Sequence, residues 1–202
     1  MSGSRTVEIR NKRRLFDDFF KVDELILAHE RYDGRMSGDE RRLVFERDDA
    51  AAVLLFDADA RSVVLVEQFK PATLIGRRRD DPSTADGWIT ELVAGMIDAG
   101  ESPDQAVIRE AFEETGYRID NPRLIAKFFS SPGGSSERIF LYCARVSDMQ
   151  REGRGGGLAG EEDIKVFQLG IDDLFYWLAE GAIDDPKLAI AAYWLKANID
   201  RL

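Results

Sequence analysis

The chain carries almost no sulfur or imidazole chemistry. Of 202 residues, one is cysteine, Cys143, and one is histidine, His29. An intramolecular disulfide and an all-cysteine metal site are both excluded. A histidine-rich zinc site is excluded too, and a Ser-His-Asp triad would rest on that single imidazole. Long apolar runs are missing: none approaches the roughly 20 residues of a membrane span. The opening residues Met1-Ser2-Gly3-Ser4-Arg5 lack the apolar stretch of a secretory signal. A cytoplasmic protein with no membrane contact is therefore expected. An excess of positive charge is absent as well. Asp plus Glu number 38 against 28 Lys plus Arg, a net charge of −10, so no nucleic-acid partner is expected. A small phosphorylated substrate, held by a local cationic site or a metal, is compatible with this balance.

What is present describes a globular chain, with 44% hydrophobic and 33% charged residues. The length suggests one domain, or one domain with an added flap. Residues 5–32 alternate charged and apolar character and suggest short strands, with a further strand over 42–47. Ala50 to Phe56 and Ser62 to Phe69 are apolar, β-rich runs separated by a hairpin loop. The stretch 76–87 (GRRRDDPSTADG) is polar and turn-rich and suggests an exposed loop. Strands are expected over 88–93, 124–129, 138–146 and 164–169, and a mobile glycine-rich loop over 151–160. Helices are expected over 172–180 and 186–202. Trp88, Trp177 and Trp194 suggest core positions, and Cys143 an inert core thiol. Many strands, a central helix, more strands and then helices make an α+β order.

The clearest helix runs from Ser102 to Gly116. Ser102 suits the N-cap, Pro103 the first helical position, Gln105 a capping box and Gly116 the C′ position. Glu110, Glu113 and Glu114 share one helical face at about 100° per residue. Val107, Ile108, Ala111 and Phe112 mark the opposite face as the buried one. Arg109 precedes Glu113 by one turn, as an i,i+4 pair requires. Like charges at this spacing destabilise a helix by a few tenths of a kcal/mol each, and a divalent cation would offset that. Oxygen ligands suit Mg²⁺ or Mn²⁺ better than zinc. Three glutamates alone favour a solvated acidic face over a metal site.

The full spacing is more specific. Gly95, five residues, Glu101, seven residues, then Arg109-Glu110-Ala111-Phe112-Glu113-Glu114-Thr115-Gly116-Tyr117 resembles the Nudix box at every defined position. Met36-Ser37, Phe45-Glu46-Arg47, Val66-Glu67-Gln68-Phe69, residues 91–97 (ELVAGMI) and 131–138 (SPGGSSER) extend the likeness to the ADP-ribose pyrophosphatase branch, over roughly residues 29–200. The resemblance implies a Nudix fold, an α/β/α sandwich with a mixed sheet. It divides the chain into an N-terminal β region, 1–48, that dimerises, and a catalytic domain, 49–202. It implies a homodimer with shared active sites.

The activity it implies is Mg²⁺-dependent hydrolysis of ADP-ribose to AMP and ribose 5-phosphate, with Mn²⁺ as a substitute and two or three ions per site. Glu110, Glu114, the Ala94 carbonyl and Glu162 would ligate metal. Arg109 would orient the glutamates, and Glu113 would assist them. Glu161 is a candidate general base beside Glu162. Arg42, Met96 and Glu137 match substrate-contact positions, with Glu137 reaching the ligand from the partner subunit. One of Phe19, Phe20 and Tyr32 would stack the base. Lys70 stands where the branch has an arginine facing phosphate, keeping the charge but losing the fork. The loop over 72–88 is longer than in that branch, and its Arg77-Arg78-Arg79 run reads as solvated. A GDP-mannose or UDP-sugar hydrolase is the alternative, since Gly155-Gly156-Gly157 leans that way. A non-catalytic nucleotide-sugar sensor is a third reading, against which the intact glutamates stand.

Overall fold

Charge alternation in the first 50 residues serves strand pairing. A computed structural model describes residues 5–77, 86–158, 160 and 162–202. The chain divides into two units: residues 1–49 with 128–138, and residues 50–127 with 139–202. In the first unit β1 (Val7–Asp17), β2 (Lys21–His29) and β3 (Glu40–Glu46) form an antiparallel sheet in that order. The first two strands are longer than the short strands the sequence suggests. Their opposite charges explain the length: Arg13 stands across from Glu24 and Arg14 across from Asp23, and both pairs are bonded. Arg14, with Lys12, pulls the Asp23 carboxyl down to about 2. The Ser-Pro-Gly-Gly turn belongs to this unit and is zipped to β3. Phe45 N–H donates to the Gly134 carbonyl at 2.7 Å, and Ser136 N–H donates to the Phe45 carbonyl at 3.1 Å.

The second unit is built on a mixed sheet. Its strands are β4 (Ala50–Asp57), β5 (Ser62–Phe69), β6 (Trp88–Glu91), β7 (Val93–Met96), β8 (Arg123–Phe129), β9 (Arg138–Arg145) and β10 (Lys165–Gly170). The order is β10-β5-β4-β9-β8, with β6 on β5 and β7 on β4. The β4–β9 pair is parallel and β4 is antiparallel to β5 and β7. Every residue of β4 is buried, as expected of a central strand covered on both faces. Ala51, Val53 and Leu55 point one way, into a core with Ala106, Val107 and Ala111 of α2 (Pro103–Thr115). By alternation Ala52 and Leu54 point the other way, toward the face where α4 (Pro186–Asn198) packs on β4. Cys143 is buried there, its thiol pushed up to about 12 by burial. This is an α+β sandwich with four α-helices among the described residues.

The helices follow their sequence signals closely at the ends. Ser102 caps α2 with a reciprocal box: Gln105 N–H donates to Ser102 Oγ at 3.3 Å, and Ser102 N–H donates to Gln105 Oε1 at 2.9 Å. Gly116 ends it at φ +77°. α3 (Ile171–Glu180) stops at Gly181. Four expectations need correcting. Helix α1 (Pro71–Arg77) occupies the start of the stretch read as a loop, its first turn closed by Thr73 N–H on the Lys70 carbonyl at 3.0 Å. α4 ends at Asn198, before a 3₁₀ turn over Ile199–Arg201. Ile108 and Phe112 are more than a third exposed, and the buried side of α2 is Ala106, Val107, Ala111, Glu114 and Thr115. Small residues let that side lie close to the sheet, and Phe112 is instead roofed by the Arg118 guanidinium at 4.6 Å. Trp88 is 40% exposed rather than core.

Of the two hydrogen bonds of the capping box, the one from Gln105 N–H is accepted by the Ser102 hydroxyl and is lost without it. Ser102→Ala is expected to cost about 1 kcal/mol of stability, read as a lower urea midpoint with an unchanged slope. An unaltered midpoint would remove the box from the account of this helix.

Candidate active site

The box helix and strand β7 build the site in the second unit. Gly95 lies on β7 opposite the α2 glutamates, and a Cβ there would collide with the Glu110 carboxylate. The glycine is what lets that side chain lie on the strand. Arg109 organises the acidic face. Its Nε and Nη2 take both oxygens of Glu101 at 3.1 and 3.0 Å, a two-point fork. Its Nη1 donates to Glu110 Oε1 at 2.6 Å and to Glu113 Oε2 at 3.1 Å. Its Nη2 also reaches the Met96 carbonyl at 3.1 Å. Arg109 draws Glu101 down below the usual carboxylate range. Burial first, with the charges of Glu113 and Glu162, pushes Glu110 up against the pull of Arg109.

Glu114 is the outlier. It is 2% exposed, and its Oε2 is buried with no hydrogen-bond partner. Burial first, and then the charges of Glu110, Glu91 and Glu162, push its carboxyl up to about 9, against a smaller opposing pull from the Ala94 N–H. Helical periodicity places Glu110, Glu113 and Glu114 on one face. The sheet then buries Glu114 and leaves Glu113 at the rim.

The glycine-rich segment ties the remaining acid to this helix. Gly156 N–H donates to the Glu114 carbonyl at 2.7 Å and Gly157 N–H to the Glu113 carbonyl at 3.1 Å. These bonds satisfy C-terminal carbonyls that the helix itself cannot. Gly155 has φ +67°, and a Cβ there would strike the Glu114 and Thr115 backbone. The loop read as mobile is therefore anchored through its glycines. Glu162 follows it, exposed, with Oε2 accepting from Leu158 N–H at 3.0 Å. Its charge reaches both Glu110 and Glu114. Glu161 lies outside the described residues, as do Arg78 and Arg79. Arg77 is in α1 and donates to the Trp88 carbonyl and to Asp184 Oδ2, each at 2.6 Å.

The structure thus gathers Ala94, Met96, Arg109, Glu110, Glu113, Glu114 and the charge of Glu162 about one strand and helix. Lys70, at the end of β5, stands 3.5 Å from Glu91. Arg42 and Glu137 belong to the first unit. There Arg42 pairs with Glu40, and Glu137 lies 3.4 Å from Arg47. Phe20 stacks on Phe45 at 5.2 Å in the same unit, while Phe19 and Tyr32 are widely exposed. Sequence reasoning missed Glu91 as a site residue, because nothing in its spacing separates it from other strand acids.

Among the described residues no three carboxylate, imidazole or thiol groups stand together as a closed metal site. Glu110 is turned to Arg109 and Glu162 to Leu158. The donor set nevertheless fits a hard divalent cation. It is oxygen throughout, Glu114 presents an orphaned buried oxygen, and the Gly95 cradle admits Glu110 to the same strand.

The chain matches the NUDIX domain over residues 46–189. It is 36% identical over 196 residues to the ADP-ribose pyrophosphatase of Escherichia coli strain K12, covering 97% of this chain and 90% of that protein. It is 33% identical over 200 residues to the ADP-ribose pyrophosphatase of Haemophilus influenzae, covering 99% and 90%. It is also 33% identical over 187 residues to the GDP-mannose pyrophosphatase of Cronobacter sakazakii, covering 93% of each.

Glu114 has a direct consequence for stability. In the metal-free fold it stays protonated up to about pH 9, whereas the unfolded chain ionises near the ordinary 4.5. Unfolding then releases a proton, so stability is lost as pH rises through that window. Glu114→Gln removes this loss. In chelator at pH 8 the variant is expected to be more stable than the parent by a few kcal/mol, and at pH 4 nearly equal. Matching urea midpoints at pH 8 would contradict the burial of this group.

Proposed function

We propose a function from one premise: the chain belongs to the Nudix family. It hydrolyses the pyrophosphate bridge of a nucleoside diphosphate sugar, with ADP-ribose the favoured substrate and AMP and ribose 5-phosphate the products. The observation that carries this reading is the orphaned carboxylate oxygen of Glu114 beside Glu110 and the Gly95 strand. The ADP-ribose preference is supported by the two relatives of that name and by the Ser-Pro-Gly-Gly turn. GDP-mannose is the second reading. The run Gly155-Gly156-Gly157 leans that way, and one relative carries that name.

Glu110, Glu114, the Ala94 carbonyl and Glu162 are the proposed holders of two or three Mg²⁺ ions, or Mn²⁺ in their place. A divalent cation there supplies charge neutralisation of the bridge and an acidified water. The chain's own groups do the rest. Arg109 holds Glu101, Glu110 and Glu113 in fixed orientation. Glu161 is the candidate base for the proton of the attacking water, beside Glu162 as ligand. The tether of Glu162 to Leu158 N–H is one bond of an exposed side chain. Lys70 meets a phosphate as a point charge. Arg42, Met96 and Glu137 contact the nucleotide sugar.

Residues 1–48 are the proposed dimerising region and 49–202 the catalytic domain. In this reading a second copy covers Val7, Ile9, Phe16 and Phe19, each more than half exposed, and brings its Glu137 to a shared site. The proposed setting is the cytoplasm, in keeping with a single buried thiol. Among the described residues no helix is long and apolar enough to cross a membrane.

Product release with Mg²⁺ from ADP-ribose, GDP-mannose, UDP-glucose and ATP tests the assignment. Turnover of ADP-ribose ahead of the others is expected. Preference for another nucleotide sugar would move the substrate and keep the site. No turnover of any of them, with binding intact, would leave a sensor. Within the active protein, Glu162→Gln is expected to lower kcat about 100-fold with KM little changed. An unchanged kcat would take Glu162 out of the reaction.

A further inference from the structure

One buried ion cluster in the second unit touches the scheme above only through Lys70. Glu91 ends β6 and is 7% exposed. Its Oε1 accepts from Gln68 Nε2 at 2.8 Å and faces Lys70 Nζ at 3.5 Å. Its Oε2 accepts from Lys187 Nζ at 3.3 Å. Lys187 Nζ also donates to Asp185 Oδ1 at 2.8 Å. Asp185 is fully engaged at the start of α4, where it caps Lys187 N–H and Leu188 N–H and accepts from Leu92 N–H at 3.4 Å.

Two lysines therefore face one carboxylate, and they differ in freedom. The Lys187 side chain is 17% exposed and lies between two buried acids. Its departure would strand both charges in a low-dielectric setting, which is costly. The Lys70 side chain is 45% exposed, and its Nζ stands 3.5 Å from the carboxylate against 3.3 Å for Lys187, so exposure rather than distance sets the two apart. Glu91 is satisfied without it, because Gln68 and Lys187 each already donate.

We propose that Lys187 is a positioning residue: by compensating Glu91 from the first turn of α4, it leaves Lys70 free to engage a substrate phosphate. The inference rests on the nucleotide-sugar reading only in taking Lys70 as the phosphate-facing group. Remove the Lys187 charge and the nearest remaining cation to Glu91 is Lys70. The acid then holds Lys70 more tightly than in the parent, and the phosphate loses its partner although no residue touching substrate has changed. Lys187 sits 71 positions beyond Gly116, the last box glycine.

The test is calorimetric titration of inorganic pyrophosphate, with Mg²⁺ present, into the full-length parent, Lys187→Met, Glu91→Gln and the double variant. KM and kcat for ADP-ribose are measured alongside. Lys187→Met is expected to weaken pyrophosphate about tenfold and to raise KM by a similar factor, with kcat less affected. Adding Glu91→Gln is expected to restore both, because no stranded charge is left to hold Lys70. A role confined to starting the helix would not be reversed by a change on β6. Parent-like affinity in Lys187→Met, or a double variant as impaired as the single, overturns the proposal. If Lys187→Met does not stay folded, the double variant against Glu91→Gln carries the same test. Equal pyrophosphate affinities support the proposal, and a tenfold gap overturns it. If the parent turns over no nucleotide sugar while the pyrophosphate affinities follow the expected pattern, the substrate reading falls and the role of Lys187 stands.

Discussion

A carboxylate sealed under a sheet with one oxygen unbonded is the constraint around which the second unit is arranged. Glu114 sits there at 2% exposure, and burying such a group uncompensated costs several kcal/mol. The surroundings do little to relieve it. Glu91, Glu110 and Glu162 add negative potential, and the Ala94 N–H offsets only part. Arg109 does not help, because its five donor groups are spent on Glu101, Glu110, Glu113 and the Met96 carbonyl. The fold thus holds one acid out of reach of its own strongest cation. That arrangement is intelligible when positive charge arrives from outside the chain.

The glycines are placed by the same constraint. At Gly95 a side chain would evict Glu110 from the strand, and at Gly155 it would push the loop off the end of α2. Between them these two positions set how closely sheet, helix and loop converge on Glu114. A third, Gly157, clears the space that the Glu162 carboxylate occupies when it folds back on Leu158 N–H. The loop that brings in the last acid is for this reason fastened at its glycine stem, through bonds to helix carbonyls that would otherwise lack donors.

Much of this is legible in the sequence, and the limits have physical causes. The ends of α2 are readable because capping is local: Ser102, Pro103, Gln105 and Gly116 act within one turn of their own positions. The acidic face is readable because helical periodicity is fixed. Which member of that face is buried is not, since it depends on how near β7 approaches, and the periodicity treats Glu113 and Glu114 alike. The buried side of α2 is misjudged for a related reason. Ile108 and Phe112 are the more hydrophobic, yet close packing on the sheet favours Ala106 and Ala111. The long strands of the first unit are hidden by their charges, which mark cross-strand pairs such as Arg13 with Glu24 rather than loop. Glu91 and Lys187 carry no pattern at all, because their meeting is a product of tertiary packing.

Charge compensation also gives Lys70 a physical setting. Arginine would bring a rigid fork to this position, able to clasp Glu91 at two points and correspondingly slow to leave it. Lysine brings one compact charge on a flexible stem, and here it stands at the edge of an acid already served by Gln68 and Lys187. Such a cation is held near the site by a single contact of 3.5 Å to Glu91. The same reasoning separates the two lysines. Asp185 fixes Lys187 from the start of α4, so that ammonium acts as a permanent counter-charge. Lys70, lacking a second acid, is the one of the pair that can answer an incoming phosphate. A chain with a net charge of −10 can receive a polyanion through metal ions or through positive charge of its own near the site. In the proposed scheme, the division of labour between Lys187 and Lys70 keeps one such charge available.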